Sequence, residues 1–382
     1  MGKTSPFPPF ELMKIVVVAG ARPNFMKIAP ILAELHRFPA EFTPFLVHTG
    51  QHYDYQLSEV FFQALELPPP NAYFDVVRDN EAQQMADIIA KFDQFLAEVA
   101  PDLVIVVGDV TSTSACALAA SKRFIPVAHV EAGLRSRDRT MPEELTRIVA
   151  DALSDLLFTY SEDADQNLLD ENVPAHCIHR VGNVMIDTLL RFRERAEASP
   201  ILAELGLEPQ AFALTTLHRA SNVDNPETLA GLLDALEEVQ QRLPIVFPVH
   251  PRTRSRIEIF GFTERFEAMP NLRRIDPLGY FEIVRLEQTA RLVLTDSAGL
   301  AEETTALGVP CLTLRENTER PVTITEGSNQ LVGCDPQRIV AAAHAILDQD
   351  HRTDYPIPAL WDGHSAERLV DVLRQGVQPR RG

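Results

Sequence analysis

PDLVIVVGDVTSTSACALAASKRFIPVAHVEAGLRS, residues 101–136, decides the fold class. Leu103–Val107 is a short apolar run rich in β-branched residues, bounded by Pro101 and Gly108, and Ile125–Val130 is a second run of the same kind. Runs of this length read as strands, and the longer stretch between them reads as a helix. Strands that are apolar throughout are buried on both faces, which points to a parallel sheet wrapped by helices.

Outward from this unit the alternation occurs twice. In the first half the candidate strands are Ile15–Ala19, Phe45–Thr49, Leu103–Val107, Ile125–Val130 and Leu156–Tyr160, with a weaker one at Ile178–Val181. In the second half they are Phe212–Leu217, Ile245–Val249, Leu292–Thr295 and Pro310–Leu314, with Gln330–Val332 as a further element. Val184–Ala198 has helical spacing and is broken by Ser199-Pro200, so the boundary between halves lies between Arg191 and Pro200. Ser365–Arg374 is helical after the Asp362-Gly363 break. The expected fold is α/β with two Rossmann-like domains: residues 1–195, with the C-terminal helix 365–382 packing back on them, and residues 196–364. Periodicity alone does not separate a GT-B-like pair, with parallel sheets facing a central cleft, from two independent flavodoxin-like units.

The chain has 382 residues, 45% of them hydrophobic, which is enough for two cores of ordinary size. Its 54 acidic against 35 basic side chains give a formal charge of -19, which disfavours nucleic acid and anionic membranes as partners. An anionic ligand therefore needs a local cluster of cations and backbone N–H groups. Cys116, Cys177, Cys311 and Cys334 are far apart without C-x-x-C spacing, and neither Cys nor His shows metal-ligand spacing. They read as reduced thiols of a cytoplasmic protein. The opening Met1–Met13 lacks a basic region followed by a long apolar one, and no run approaches the roughly 20 apolar residues of a membrane helix.

In open parallel sheets ligands bind beyond the carboxyl ends of the strands. The residues that follow the candidate strands are Gly20-Ala21-Arg22-Pro23-Asn24 with Lys27, then Gly50-Gln51-His52, Gly108-Asp109, and Glu131-Ala132-Gly133-Leu134-Arg135. In the second half they are His218-Arg219, His250-Pro251-Arg252 and Asp296-Ser297-Ala298-Gly299. Each alone has an ordinary explanation as a cap or a satisfied structural group. Structural polar groups, however, have no reason to gather at the carboxyl edge of both sheets. Ser297-Ala298-Gly299 opens a helix and offers a hydroxyl and free N–H groups to an anion, although a plain N-cap would look the same. Without G-x-G-x-x-G, a dinucleotide fingerprint is missing and a nicotinamide cofactor is not supported. Asp109, Glu131 and Glu143 are candidate general acids or bases, with helix capping and a typical first helical turn as the alternatives.

Taken in order, GARP at 20–23 with Lys27, HVEAGLRS at 129–136, MPEE at 141–144 with Arg147, TLHR at 216–219, TDSAGLAEE at 295–303 and LRENTERP at 314–321 resemble the non-hydrolysing UDP-N-acetylglucosamine 2-epimerases from about residue 14 to residue 375. The resemblance implies a GT-B-like fold, a homodimer, a UDP-sugar and UDP as ligands, and no cofactor or metal. It implies that Asp109, Glu131 and Glu143 are the catalytic carboxylates, with His218 as the catalytic histidine beside the diphosphate. Arg22 and Lys27 then face the nucleotide-sugar, Ser297, Ala298 and Gly299 bind phosphate, and Glu303 accepts the ribose hydroxyls. Arg135, Arg147, His250 and Arg320 join the substrate-binding set. Some bacterial members bind a second nucleotide-sugar as activator through residues matching Gln51, His52 and His250, beside Arg219. The chain departs from the family at Asn24, Thr146, Ala220-Ser221-Asn222, Ala298 and Val322. The activity implied is reversible C2 epimerisation through elimination to 2-acetamidoglucal and UDP. The alternatives are a hydrolysing epimerase, an epimerase of a modified UDP-sugar, a GT-B glycosyltransferase and a non-catalytic UDP-sugar-binding regulator.

Overall fold

The computed structural model describes residues 12–50, 62–76, 80–349, 354–376 and 380. They form two compact units, Met1–Leu190 with Ala359–Gly382, and Arg191–Pro358.

The first unit is built on a parallel seven-stranded sheet: β1 (Met13–Ala19), β2 (Phe42–His48), β3 (Ala72–Tyr73), β4 (Leu103–Val107), β5 (Val127–Val130), β6 (Leu156–Thr159) and β7 (Ile178–Arg180), in the order β3-β2-β1-β4-β5-β6-β7. Every residue of β4, β5 and β6 is buried, as strands covered on both faces require. The helix Glu81–Val99 covers one face. Its Ile88, Phe92 and Leu96 recur at four-residue spacing and pack in one cluster with Val16, Val104 and Val106. Burial of a side chain such as Phe92 contributes about 1.5–3 kcal/mol. Asn80 starts this helix by accepting the N–H groups of Ala82 and Gln83, and left-handed Ala100 ends it.

The chain returns to this unit at its end. Trp361 donates through Nε1 to the carbonyl of Tyr160 at 3.2 Å, and the Asp187 carboxylate accepts the N–H groups of Ser365 and Ala366 at 3.1 and 2.7 Å. The helix Ser365–Arg374 thus begins on an acid 178 residues earlier in the chain and packs against the helix Arg22–His36. Arg374 closes the contact, paired with Glu41 at 2.9 Å and stacked over Phe38.

The second unit has a parallel six-stranded sheet: β8 (Ala213–Thr216), β9 (Ile245–Pro248), β10 (Leu272–Ile275), β11 (Leu292–Thr295), β12 (Cys311–Thr313) and β13 (Asn329–Leu331), in the order β10-β9-β8-β11-β12-β13. Leu229, Leu232, Leu233 and Leu236 of the helix Pro226–Val239 pack with Ile245, Phe247 and Leu294 in one core cluster. In a separate cluster, Ile201 and Leu202 pack with Leu214, Val246 and Val293. The strands absent from the expected set are β3 and β10, both at sheet edges. The strand order reverses direction between β1 and β4 and again between β8 and β11. In sheets of this kind these are the crevices where ligands bind.

Among the described residues, no helix is long and apolar enough to cross a membrane and no group of three or more His, Cys, Asp or Glu could hold a metal ion. Cys116, Cys177 and Cys311 are buried free thiols and Cys334 is half-buried.

Candidate functional site

At the first reversal, the turn after β1 and the turns after β4 and β5 meet. Asn24 organises the first of them: its Oδ1 accepts the N–H groups of Gly20 and Ala21 at 2.9 and 3.0 Å, and its Nδ2 donates to the Val107 carbonyl at 3.3 Å. One helical turn on, Lys27 forms a buried ion pair with Oε2 of Glu131. The Glu131 backbone is left-handed, with φ of 70°, which a residue with a side chain adopts only when its surroundings dictate it. Its N–H donates to the Phe158 carbonyl at 3.1 Å. The other carboxylate oxygen, Oε1, is buried without a hydrogen-bond partner among the described residues. One oxygen is therefore fixed by a cation and the other keeps its capacity to accept a hydrogen bond or a proton. Gly108 passes close by, since a Cβ there would stand 2.8 Å from Lys27 Nζ and 3.1 Å from Glu131 Oε2.

Asp109 follows Gly108 and is paired with Nη1 of Arg147. Arg147 is almost wholly buried and also donates from Nη2 to Glu144 at 2.7 Å. Glu144 in turn accepts the N–H groups of Ser136 and Arg137, both at 2.9 Å. Burial opposes its charge, but Arg147 and these N–H groups outweigh it and hold its carboxyl below the ordinary range. Of the adjacent acids in MPEE, Glu144 is thus internal and Glu143 is exposed on the first turn of the helix Pro142–Leu153. Arg135 is buried, with Nε and Nη2 on Glu171 at 2.8 and 2.7 Å and Nη1 on Asp151 at 2.7 Å. Its guanidinium is committed to the protein interior. Arg22 opens the helix Arg22–His36, its side chain lying outside what the structure describes, and Gln51 and His52 lie outside the described residues.

At the second reversal, Asp296 is fully buried and gathers the turn after β8. It accepts the N–H groups of His218 and Arg219, each at 3.0 Å, and the Asn222 amide at 3.3 Å. Its Oδ1 lies 3.0 Å from His218 Nδ1. A carboxylate there requires the proton of His218 to sit on Nδ1, so that Nε2 is the ring nitrogen presented outward on a side chain 41% exposed. Burial works against the charge of Asp296, but the His218 contact and the backbone N–H groups prevail and depress its pKa. His250 is exposed, its ring centroid 5.6 Å from that of His218. Arg219 donates from Nε to the Asp296 carbonyl at 2.8 Å.

Ser297 caps the helix Ala298–Leu307, its Oγ accepting the N–H of Leu300 at 3.4 Å. The first-turn N–H groups of Ala298 and Gly299 have no carbonyl within the helix to bind, and the helix dipole makes this end attractive to an anion. Further along, Glu303 is buried and accepts from the Tyr280 hydroxyl at 2.9 Å. Burial foremost, with the charge of Glu302, pushes its pKa up to about 7 against the pull of that hydrogen bond. Glu287 is fully buried near it, and both its oxygens are without hydrogen-bond partners among the described residues. Burial and Glu303 raise its pKa well above the usual carboxylate range. Arg320 is buried in a chain of ion pairs, with Nε on Glu302 at 2.9 Å and Nη1 on Glu319, which Arg315 also holds at 2.7 Å.

The contacts of Tyr280, Glu287 and Asp151 are not legible in the sequence, because Glu303 and Arg135, which they meet, lie on other elements. Asp296 directly follows the strand Leu292–Thr295, but nothing in its neighbours along the chain marks it as the partner of His218.

Two all-parallel α/β units, each with polar groups at a strand-order reversal, are the parts of a GT-B-like fold, and the solved structures that match this chain are of that class. The crystal structure of Methanocaldococcus jannaschii UDP-GlcNAc 2-epimerase in complex with UDP-GlcNAc and UDP matches with a TM-score of 0.88 and 37% identity, over 95% of this chain and 100% of that one. A family model described as UDP-N-acetylglucosamine 2-epimerase matches residues 33–374. The chain is 41% identical over 364 residues to a UDP-N-acetylglucosamine 2-epimerase homolog of Methanococcus maripaludis, covering 95% of this chain and 99% of that one. It is 40% identical over 365 residues to the UDP-2,3-diacetamido-2,3-dideoxy-D-glucuronate 2-epimerase of Pseudomonas aeruginosa, covering 94% and 99%. The chain therefore belongs to the UDP-N-acetylglucosamine 2-epimerase family and is an epimerase.

Proposed function

We infer that this epimerase interconverts UDP-N-acetylglucosamine and UDP-N-acetylmannosamine without net hydrolysis. The observation that carries the reading is Glu131: a buried carboxylate, conformationally constrained, with one oxygen on Lys27 and the other without a hydrogen-bond partner among the described residues. Such a group is equipped to take or give a proton.

The hydrogen on C2 of the sugar is not next to a carbonyl, so its direct removal would need a base far stronger than a carboxylate. Elimination removes the difficulty. The C1–O bond breaks, its electron pair leaves with UDP, and positive charge at C1 and the ring oxygen acidifies C2–H. A carboxylate takes that proton and the C2–H electrons form the C1=C2 bond of 2-acetamidoglucal. A proton then returns to the opposite face of C2 as UDP re-forms the bond at C1, which inverts C2. Asp109 and Glu131 serve the proton steps, with Glu143 as a third acid at the helix start. Lys27 and Arg147 act by holding these acids rather than by meeting the sugar. His218, Arg22, Ser297 and the N–H groups of Ala298 and Gly299 receive the diphosphate, and Glu303 the ribose. Arg135 and Arg320, tied into internal ion pairs, hold the walls of the two crevices. His250 extends the His218 edge, and Arg219, Gln51 and His52 are assigned to a regulatory nucleotide-sugar.

The likeness to the diacetamido-glucuronate epimerase at 40% identity favours a second reading, in which the substituents at C3 and C6 differ while the C2 chemistry is the same. Incubation with UDP-N-acetylglucosamine in deuterated water, followed by proton NMR, tests both. The expected result is UDP-N-acetylmannosamine carrying one deuterium at C2. Release of free N-acetylmannosamine would overturn the non-hydrolysing reading. No turnover of this sugar, with turnover of the diacetamido-glucuronate, would move the assignment to the second substrate.

A further inference from the structure

His129 lies on β5, wholly buried, and both ring nitrogens are engaged. Nε2 is 2.8 Å from the main-chain carbonyl of Gly108, and Nδ1 is 2.6 Å from Oδ1 of Asp151. A carbonyl oxygen only accepts, so Nε2 must carry a hydrogen. The other side depends on Asp151. Its second oxygen accepts the N–H of Gly133 at 3.0 Å and pairs with Arg135 Nη1 at 2.7 Å. Two donors on a carboxyl group favour the anion. One of them is a guanidinium, charged at every pH in the working range, so the ionised form of Asp151 is favoured without reference to His129. An ionised Asp151 also only accepts, so Nδ1 must carry a hydrogen too. An imidazole that donates from both nitrogens is the imidazolium.

The placement gives that charge a role. Gly108 immediately precedes Asp109, and Glu131 lies two residues beyond His129. The Gly108 N–H donates to the Val130 carbonyl at 3.0 Å, while its carbonyl receives the His129 proton. The turn that carries Asp109 is therefore tied on both sides of one residue to the strand that carries Glu131. Across the sheet, His129 is flanked by apolar Val106 and Leu157. The charged groups around it are Asp151, Arg135 with Glu171 beyond, and the Lys27–Glu131 pair at the end of its own strand.

We propose that His129 is a positioning residue, an imidazolium clamped between Asp151 and the Gly108 carbonyl that sets Asp109 against Glu131. Its kinetic consequence rests on the reading of those two acids as the proton-transfer groups. The charge itself does not.

The test has two arms. In protein labelled with 15N-histidine, at pH 8, a histidine of ordinary pKa of about 6.5 is only about 3% protonated. One ring should nonetheless show both nitrogens at protonated shifts with slowly exchanging protons, and that signal should vanish in His129→Gln. A single protonated nitrogen on the His129 ring would overturn the charge assignment, whether or not the protein turns over any sugar. In the kinetic arm, folded His129→Gln and Asp151→Asn should lose about 10- to 100-fold in kcat with KM within about twofold. Asp151→Asn should also convert the ring to a neutral tautomer, a readout that loss of packing alone would not give. An unchanged kcat in either folded variant would overturn the positioning role. Asp151→Asn carries this arm if His129→Gln does not fold. Failure of the epimerase reading would show separately, as absence of C2 deuteration by the unsubstituted protein.

Discussion

The left-handed backbone of Glu131 costs about 1–2 kcal/mol in a residue with a side chain, and it persists because the N–H groups of Glu131 and Ala132 both reach the Phe158 carbonyl. That geometry turns the carboxylate back toward Lys27. Replacement by the isosteric amide should therefore leave the turn in place and remove only the basicity. Glu131→Gln and Asp109→Asn are each expected to lower solvent deuterium incorporation at C2 by about 10²- to 10⁴-fold while UDP affinity, measured by calorimetry, stays within a few-fold. Full exchange in both variants would exclude these acids from the proton steps. At this scale the sequence named the acids but not their partners. Nothing in MPEE distinguishes Glu143 from Glu144; Arg147, one turn on in the same helix, pairs with Glu144, and the N–H groups of Ser136 and Arg137 close over the same carboxylate, which makes it internal. The same holds for Arg135, whose neighbours along the chain do not reveal that Asp151 and Glu171 enclose it.

At the scale of the elements, the turns after β4 and β5 depend on two glycines for different reasons. Gly108 has φ of 64°, and a Cβ there would press on Lys27 Nζ and Glu131 Oε2, the tips of side chains. Gly133 has φ of 81°, and a Cβ there would stand 2.3 Å from the Ala164 carbonyl oxygen, which is backbone. Gly108→Ala should thus keep most of its stability, lose about 1–2 kcal/mol to the left-handed conformation, and show a disproportionate fall in kcat because the Lys27–Glu131 pair is displaced. Gly133→Ala should be markedly less stable in urea, and a midpoint equal to that of Gly108→Ala would contradict the distinction. The strands buried on both faces were legible because burial on both faces leaves an unbroken apolar run. The edge strand β10 was not, since Arg273 and Arg274 are exposed along it, and β3 has only two residues. Edge strands answer to one neighbour only, and their residues need not be apolar.

At the scale of the whole molecule, the buried acids of the second unit link stability to pH. The Glu303 carboxyl has a folded pKa of about 7 against an ordinary value of 4.5, and that of Glu287 is raised in the same direction. Between those values the folded chain binds more protons than the unfolded one, so stability falls as pH rises. The contribution of Glu303 is fully present below about pH 4.5 and lost as the pH passes through about 7, with an upper magnitude of about 3 kcal/mol. The melting temperature of Glu303→Gln relative to the unsubstituted protein should accordingly rise between pH 5 and pH 8. A difference independent of pH would show that Glu303 is ionised throughout.

Sequence by itself determined the two parallel-sheet halves and the gathering of polar groups at their carboxyl edges. Both follow from local facts, namely run length, apolar character and the residue that succeeds each strand. Tertiary structure alone decided which of those groups are tied to one another. Lys27 meets Glu131 across 104 residues, and His218 meets Asp296 across 78. Charge, proton affinity and availability depend on burial and on partners brought together by the sheet order, and no window along the chain contains both members of either pair.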